Sequence, residues 1–314
     1  MSTRAPICEH GFSPAEDIPE RCGRDYNVAR TLEIDVTSEL AGNYVKIDGI
    51  KTHYLERGTG APVVLLHGGD FGGRAENSWG YNIDALAARY RVVAPDWLGF
   101  GRTDKIYDFV NGRRRVIEHM GNFLGMMGLQ EAHMIGNSMG AGILVSVVAN
   151  LDGRFRPRSM VLCSGGGFVP DNEYRRSLLE YDCSREGMVR MLKAIFYDEK
   201  WWSDESYVKQ RHDWSLEPGV WEAAAAARFK APHIPTRPAY GQQDTNPYEN
   251  VRCPTLVIAG EEDKLRLPGY ARELAARIPN ALYHVFPKTG HCPNIERAEE
   301  FNTLVLDFLD RASR

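Results

Sequence analysis

The sequence predicts an α/β fold: a mostly parallel central sheet with helices on both faces and an inserted helical cap. Three observations predict it. Short continuous apolar runs alternate with segments of helical spacing, the pattern of strands buried on both faces and joined by crossover helices. The alternation stops after Gly167 and resumes only at Pro254. One strand runs through a glycine-flanked serine straight into an apolar helix.

In chain order, "YVKIDG" and "IKTHYLERG" alternate apolar and polar residues around Asp48-Gly49, a hairpin with a tight turn. "PVVLLH" at 62–67 is a doubly buried strand, "IDALAARY" a helix and "RVVAPD" at 91–96 a second such strand. "RRVIEHMGNFLGMMGL" is an amphipathic helix, "AHMIGN" a strand, "MGAGILVSVVANL" a helix and "SMVLCS" at 159–164 a strand. Residues 170–245 are rich in aromatic and charged residues and lack the strand rhythm; they form the cap, with helical pieces. The pattern returns with strand "PTLVIAG", helix "GYARELAARI", strand "ALYHVF" and helix "AEEFNTLVLDFLDRA". The organisation expected is an N-terminal extension over 1–40, a first part of the core over 41–169, the cap over 170–245 and the second part of the core over 246–314. The extension, polar and with three early prolines, is expected on the surface or partly disordered.

Composition narrows the function. With 43% hydrophobic residues the 314-residue chain can bury a large core, and a net charge of −4 gives no electrostatic reason to expect nucleic acid or an anionic membrane as a partner. The densest basic run, Arg113-Arg114-Arg115, reads as a solvated helix start. The six cysteines show no CxxC spacing, so a zinc site, a redox dithiol or a disulfide scaffold is not expected. No apolar run approaches the length of a membrane span, and the first residues contain no apolar signal core, so a cytoplasmic protein is expected. Oligomeric state is not legible, and a homo-oligomer stays open.

The chemistry centres on "MIGNSMGAG", residues 134–142. Gly136-x-Ser138-x-Gly140 between a strand and a helix is a nucleophile elbow: the turn is sharp and strained, and its neighbours must be small because strand and helix nearly collide. Serine alone is a poor nucleophile and needs a base and a group that orients the base. On such a sheet the acid follows a late strand and the histidine comes last. Asp263, in the loop after "LVIAG", fits the acid; its neighbours Glu261 and Glu262 read as solvated. Of nine histidines only His291 lies in a loop after the last strand, where Gly290 lets the backbone turn. The oxyanion of a tetrahedral intermediate would be held by the Met139 N–H and by a second N–H from the His67-Gly68-Gly69-Asp70 loop, either that of Gly69 or that of Asp70. His67 reads as an orienting residue. No metal or organic cofactor is called for.

Across residues 41–314 the chain resembles the α/β-hydrolase superfamily, and within it the meta-cleavage product hydrolases, which cut carbon–carbon bonds in dienoates from aromatic ring fission. "LLHGG", "NSWGYNIDALAARYRVVAPDWLGFGRTDK", "GNSMG" and the cap segment "LLEYDCSREGMVRMLKAIFYDEKWWSDESYVKQRHDWS" carry the resemblance. It implies a cap arginine, Arg211, on the substrate's terminal carboxylate, and Asn137, Asn82 and Trp79 as pocket residues. A planar guanidinium suits two-point carboxylate binding. The chain departs from the family in three ways, one of them an N-terminal extension longer than usual. Cys292 follows His291 where a Trp or another large residue is usual, and Gly68-Gly69-Asp70-Phe71-Gly72 stands where the family has Gly-Gly-Gly-Pro-Gly, so Asp70 adds a negative charge near an anionic substrate.

The resemblance implies hydrolysis of a 2-hydroxy-6-oxo-dienoate-like, carboxylate-bearing small molecule, by attack of Ser138 or of a water that Ser138 and His291 activate. An ester or amide hydrolase would use the same triad. A ligand receptor or cofactor-free oxygenase on this fold is a remoter alternative.

Overall fold

A computed structural model describes residues 42–226 and 240–314. The N-terminal extension and residues 227–239 of the cap segment lie outside the described residues. Strands β1 (Asn43–Ile47) and β2 (Ile50–Arg57) form the expected hairpin, paired from Asn43 opposite Tyr54 to Ile47 opposite Ile50. Both turn residues have positive φ, Asp48 at 51° and Gly49 at 83°. That is the primed turn whose twist matches the flanking strands.

The following strands are β3 (Pro62–Leu66), β4 (Arg91–Pro95), β5 (His133–Asn137), β6 (Ser159–Cys163), β7 (Thr255–Gly260) and β8 (Leu282–Phe286). They make one eight-stranded sheet in the order β1-β2-β4-β3-β5-β6-β7-β8. The hairpin and the β2–β4 pairing are antiparallel and every other pairing is parallel. The order reverses at β3, so the crevice at the carboxyl ends of the central strands lies where a ligand site is expected on such a sheet.

Alternation along β3 shows why the runs are continuously apolar. Val64 and Leu66 face a cluster with Met134, Leu162 and Val257 that is covered by Phe123, Leu144 and Leu274. Val63 and Leu65 face the opposite layer, with Ile135, Val161 and Ile258 covered by Trp79, Leu86, Phe301 and Leu309. The first layer comes from α3 (Arg113–Met126), α4 (Met139–Ala149) and α10 (Tyr270–Arg277). The second comes from α1 (Ala75–Trp79), α2 (Ile83–Ala87) and α12 (Ala298–Ala312). The single-turn helices α1 and α11 (Pro293–Glu296) had no periodic signal in the sequence, because one turn is too short to show a period.

Between β6 and β7 the described chain is helical: α5 (Glu173–Leu179), α6 (Arg185–Ile195), α7 (Lys200–Ser203), α8 (Glu205–Ser215) and α9 (Val220–Ala226). Side-chain caps start three of them. Asn172 accepts from the Arg175 N–H, Ser184 from Gly187, and Asp204 from Ser206 and Tyr207. The cap has its own apolar cluster of Met188, Met191, Leu192, Phe196, Trp201 and Val208, and this cluster extends onto Phe71, Leu265, Cys292 and Ile295 of the core. The cap is thereby seated on the loops that leave β3, β7 and β8.

Candidate active site

Ser138 stands between β5 and α4 with φ 50° and ψ −111°, a conformation that non-glycine residues rarely adopt. Its own amide donates to the Cys163 carbonyl at 2.8 Å, which ties the turn to β6. The two flanking glycines are steric necessities. A Cβ on Gly136 would lie 2.4 Å from the Ala141 nitrogen, and one on Gly140 would lie 2.2 Å from the Leu66 carbonyl oxygen. This is the physical content of the Gly-x-Ser-x-Gly spacing.

Three distant segments meet at this turn. His291 Nε2 lies 2.8 Å from Ser138 Oγ, and His291 Nδ1 lies 2.7 Å from Asp263 Oδ2. The other Asp263 oxygen accepts the Leu265 N–H at 2.8 Å. Burial works against the Asp263 charge, but His291, Arg266 and the Leu265 amide together outweigh it and hold the carboxyl below its usual range. Burial lowers the His291 pKa, and Asp263 opposes this only in part. The resting pair is an ionised aspartate and a neutral imidazole, with Nδ1–H turned to the carboxylate and the Nε2 lone pair facing the serine hydroxyl. Such an arrangement can take a proton from Ser138 Oγ and return it to a leaving group.

The histidine loop is braced from two sides. The His291 amide donates to the Ile195 carbonyl of the cap at 2.7 Å. Glu296 accepts from Gly290 N–H at 2.8 Å and from Tyr197 and Asp198 N–H at 2.8 and 3.2 Å. Burial pushes Glu296 up to about 7 against those donors. Glu262, read from sequence as merely solvated, accepts the Thr289 N–H at 2.7 Å. Both braces escaped the sequence reading; the closeness of Glu296 to His291 along the chain was the one available signal.

The oxyanion loop is built around His67. Its Nδ1–H donates to the Gly68 carbonyl at 2.6 Å, while Nε2 accepts the Trp97 N–H at 3.0 Å. Burial keeps this ring neutral. It acts on the loop backbone, in the orienting position expected for it. A Cβ on Gly69 would lie 2.6 Å from Met139 Sδ and 3.1 Å from Met139 Cβ, so the loop runs against the start of α4. The amide of Met139, in the first turn of its helix, has no intrahelical acceptor.

Arg211, on α8, is buried and ion-paired with Asp70 of this loop through Nη2, and its Nη1 donates to the Tyr207 hydroxyl at 3.1 Å. Asn137 lies under the loop. Its Nδ2 donates to Asn294 Oδ1 at 3.3 Å, and its Oδ1 would be 3.1 Å from a Cβ on Gly68. Two expected pocket residues have structural contacts instead. Trp79 is fully buried in the core layer beside Phe301, with ring centroids 6.4 Å apart. Asn82, also fully buried, donates to the Asn294 carbonyl at 2.9 Å and to Asn302 Oδ1 at 2.8 Å. Their place in a motif-bearing stretch says nothing about which face of α1 and α2 they occupy, and both turn toward α11 and α12. Asn294, which sequence reasoning did not single out, also donates to the Ser78 carbonyl at 2.6 Å and so joins these segments.

Comparison with known proteins identifies the family. Residues 63–304 match the alpha/beta hydrolase family. The chain is 31% identical over 294 residues to a 2-hydroxy-6-oxo-6-(2'-aminophenyl)hexa-2,4-dienoic acid hydrolase of Metapseudomonas resinovorans, covering 91% of this chain and 96% of that one. It is 32% identical over 275 residues to a 2-hydroxymuconate semialdehyde hydrolase of a Pseudomonas species, covering 86% and 94%. The structure of a meta-cleavage product hydrolase from Pseudomonas fluorescens superimposes with a TM-score of 0.76 at 29% identity, covering 86% of this chain and 98% of that one. Sequence and fold together lead to one statement: the chain belongs to the α/β hydrolase family and is similar, within it, to the meta-cleavage product hydrolases.

Proposed function

We propose that this protein is a serine-type hydrolase that cleaves a carbon–carbon bond in a 2-hydroxy-6-oxo-dienoate-like product of aromatic ring fission. The observation that carries the reading is the hydrogen-bonded line from Ser138 Oγ through His291 to Asp263, at a strained turn beneath a cap. Relatives whose names state this activity support the choice of substrate.

In this reading the proton of the 2-hydroxyl group moves to the carbon beside the 6-oxo group, converting the dienol to a ketone. Ser138 Oγ then attacks the 6-carbonyl carbon while its proton passes to His291 Nε2. The N–H groups of Met139 and of Gly69 or Asp70 hold the negative oxygen that results. The bond between the carbonyl carbon and its neighbour breaks. Its electron pair is drawn toward the new ketone, and His291 returns the proton to that fragment. Water then hydrolyses the acyl-serine, with His291 again as the base. Asp263 keeps Nδ1 protonated throughout, and Arg211 faces the substrate carboxylate. We place the enzyme in the cytoplasm, in keeping with its free cysteines Cys163, Cys183, Cys253 and Cys292. No helix of the described residues is long and apolar enough to cross a membrane.

One observation favours a second reading, an ester or amide hydrolase. Arg211, the cation proposed for the substrate carboxylate, already has a carboxylate partner in Asp70. Turnover of a 2-hydroxy-6-oxo-dienoate, followed by loss of its absorbance, and of a p-nitrophenyl ester separates the two. Faster cleavage of the dienoate upholds carbon–carbon hydrolysis, and much faster ester turnover replaces it with the second reading. Ser138→Ala should lower either activity by about 10⁴-fold or more while the folded protein still binds substrate. Near-normal turnover would remove Ser138 from the role of nucleophile.

A further inference from the structure

We infer that Asp70 is a specificity-determining residue. It acts as an internal carboxylate that pairs with the Arg211 guanidinium and yields it only to a substrate carboxylate able to engage both Nε and Nη2. The inference rests on the reading that Arg211 faces the substrate, and it deepens that reading by saying which groups the site admits.

Three features carry it. The first is the incomplete geometry of the pair. Asp70 contacts Arg211 through Oδ2 and Nη2 alone, while the Nε–H on the same edge of the guanidinium is buried with no hydrogen-bond partner among the described residues. That edge is the fork that a carboxylate fills with two parallel hydrogen bonds. A substrate carboxylate that engages both donors exchanges a one-point contact for a two-point contact and satisfies a buried donor.

The second is the asymmetry of burial and support. The Arg211 side chain is 2% exposed and anchored to Tyr207 on its own helix, whereas the Asp70 side chain is 17% exposed. The aspartate is the partner that can turn toward water. Its loop position allows this: Asp70 leads a turn closed by the Gly73 N–H on the Asp70 carbonyl, with Gly72 at φ 77°.

The third is location. A Cβ on Gly68 would lie 3.5 Å from Ser138 Cβ and 3.7 Å from Asp70 Oδ1, so the Asp70 carboxylate and the serine stand on either side of one residue, and Asp70 follows Gly69, which packs on Met139. An anion on Arg211 is therefore close to the proposed reacting centre. Two carboxylates crowded onto one guanidinium repel each other, so the incoming group must displace the resident one. A neutral amide or ester has no charge with which to do so.

Benzoate and benzamide are the probes, with binding to the full-length protein measured by calorimetry and folding checked by thermal melting. In Asp70→Asn, which keeps the shape and removes the charge, benzoate should bind about tenfold tighter than in the unaltered protein, since a competing anion has been removed. Benzamide affinity should stay within about twofold. Asp70→Gly, which removes the side chain, should show the same gain, and it serves if the asparagine variant fails to fold. Adding Arg211→Met to the Asp70→Asn variant should abolish the gain. Equal benzoate affinity with and without Asp70, no benzoate binding by either protein, an equal gain for benzamide, or a gain that survives loss of Arg211 would each overturn the inference. The measurement needs no turnover, so failure to cleave a dienoate would strike the proposed reaction and leave this result standing.

Discussion

Two glycines on one helix make opposite predictions. Gly140 and Gly142 lie two residues apart in α4. A Cβ on Gly140 would sit 2.2 Å from the Leu66 oxygen, 2.7 Å from the Leu66 carbonyl carbon and 2.8 Å from the His67 oxygen. All three are backbone atoms, so no side chain can rotate away. Reaching an ordinary contact of 3.4 Å from 2.2 Å requires a separation of 1.2 Å between α4 and the end of β3. Forced separations of this kind cost about 1–3 kcal/mol. At roughly 2–4 °C per kcal/mol, Gly140→Ala should lower Tm by about 2–12 °C. Whichever side moves, either Ser138 or the oxyanion loop leaves its place, and a displacement of ~1 Å costs about 10²-fold in rate. At Gly142 the added Cβ would meet the Gly166 nitrogen at 3.6 Å, an ordinary contact. Alanine is favoured over glycine in a helix interior by about 0.5–1 kcal/mol, so Gly142→Ala should leave activity intact and raise Tm slightly. Differential scanning calorimetry and ester or dienoate turnover check both variants. A Gly140→Ala protein that melts with the wild type and keeps most of its activity, or a Gly142→Ala protein as damaged as Gly140→Ala, would refute the collision argument.

Two predictions concern the triad. Asp263→Asn should retain the fold but lower kcat by about 10³–10⁴-fold, because an amide cannot hold His291 in the Nδ1–H form that frees Nε2 for the serine; a loss under tenfold would contradict that role. The second is a pH profile. Burial holds His291 below its ordinary value of 6.5, and only the neutral ring can accept the Ser138 proton. The value of kcat/KM should therefore be flat near neutrality and fall with acid along a limb centred below 6.5. A limb centred at or above about 7 would show that Asp263 outweighs burial.

Much of the fold and the whole candidate triad were legible in the sequence. Strands β3, β5, β6 and β7 announce themselves because a strand covered on both faces must be apolar at every position, as the two layers meeting Val63 and Val64 show. The elbow is legible because much of its strain is local: Ser138 takes a positive φ and a Cβ on Gly136 would strike Ala141 and Gly140 within the same turn, while the Gly140 collision with Leu66 comes from the neighbouring strand. Asp263 and His291 follow from chain order on a parallel sheet, where loops at the carboxyl ends of the strands converge on one crevice.

Contacts that join remote surfaces were not legible. Asp70 and Arg211 are 141 residues apart, and their pairing depends on how the cap is seated, which no local period encodes. The inward turn of Trp79 and Asn82 and the joining role of Asn294 depend in the same way on the packing of helices from opposite ends of the chain, and the bracing by Glu296 and Glu262 depends on how the loops after β7 and β8 lie against each other and against the cap. Sequence by itself determined the elements and the catalytic grammar, because hydrophobic period and backbone sterics act over a few residues. Tertiary structure alone decided which charges meet, because a side chain's partner is set by the sum of every crossover and packing angle between the two.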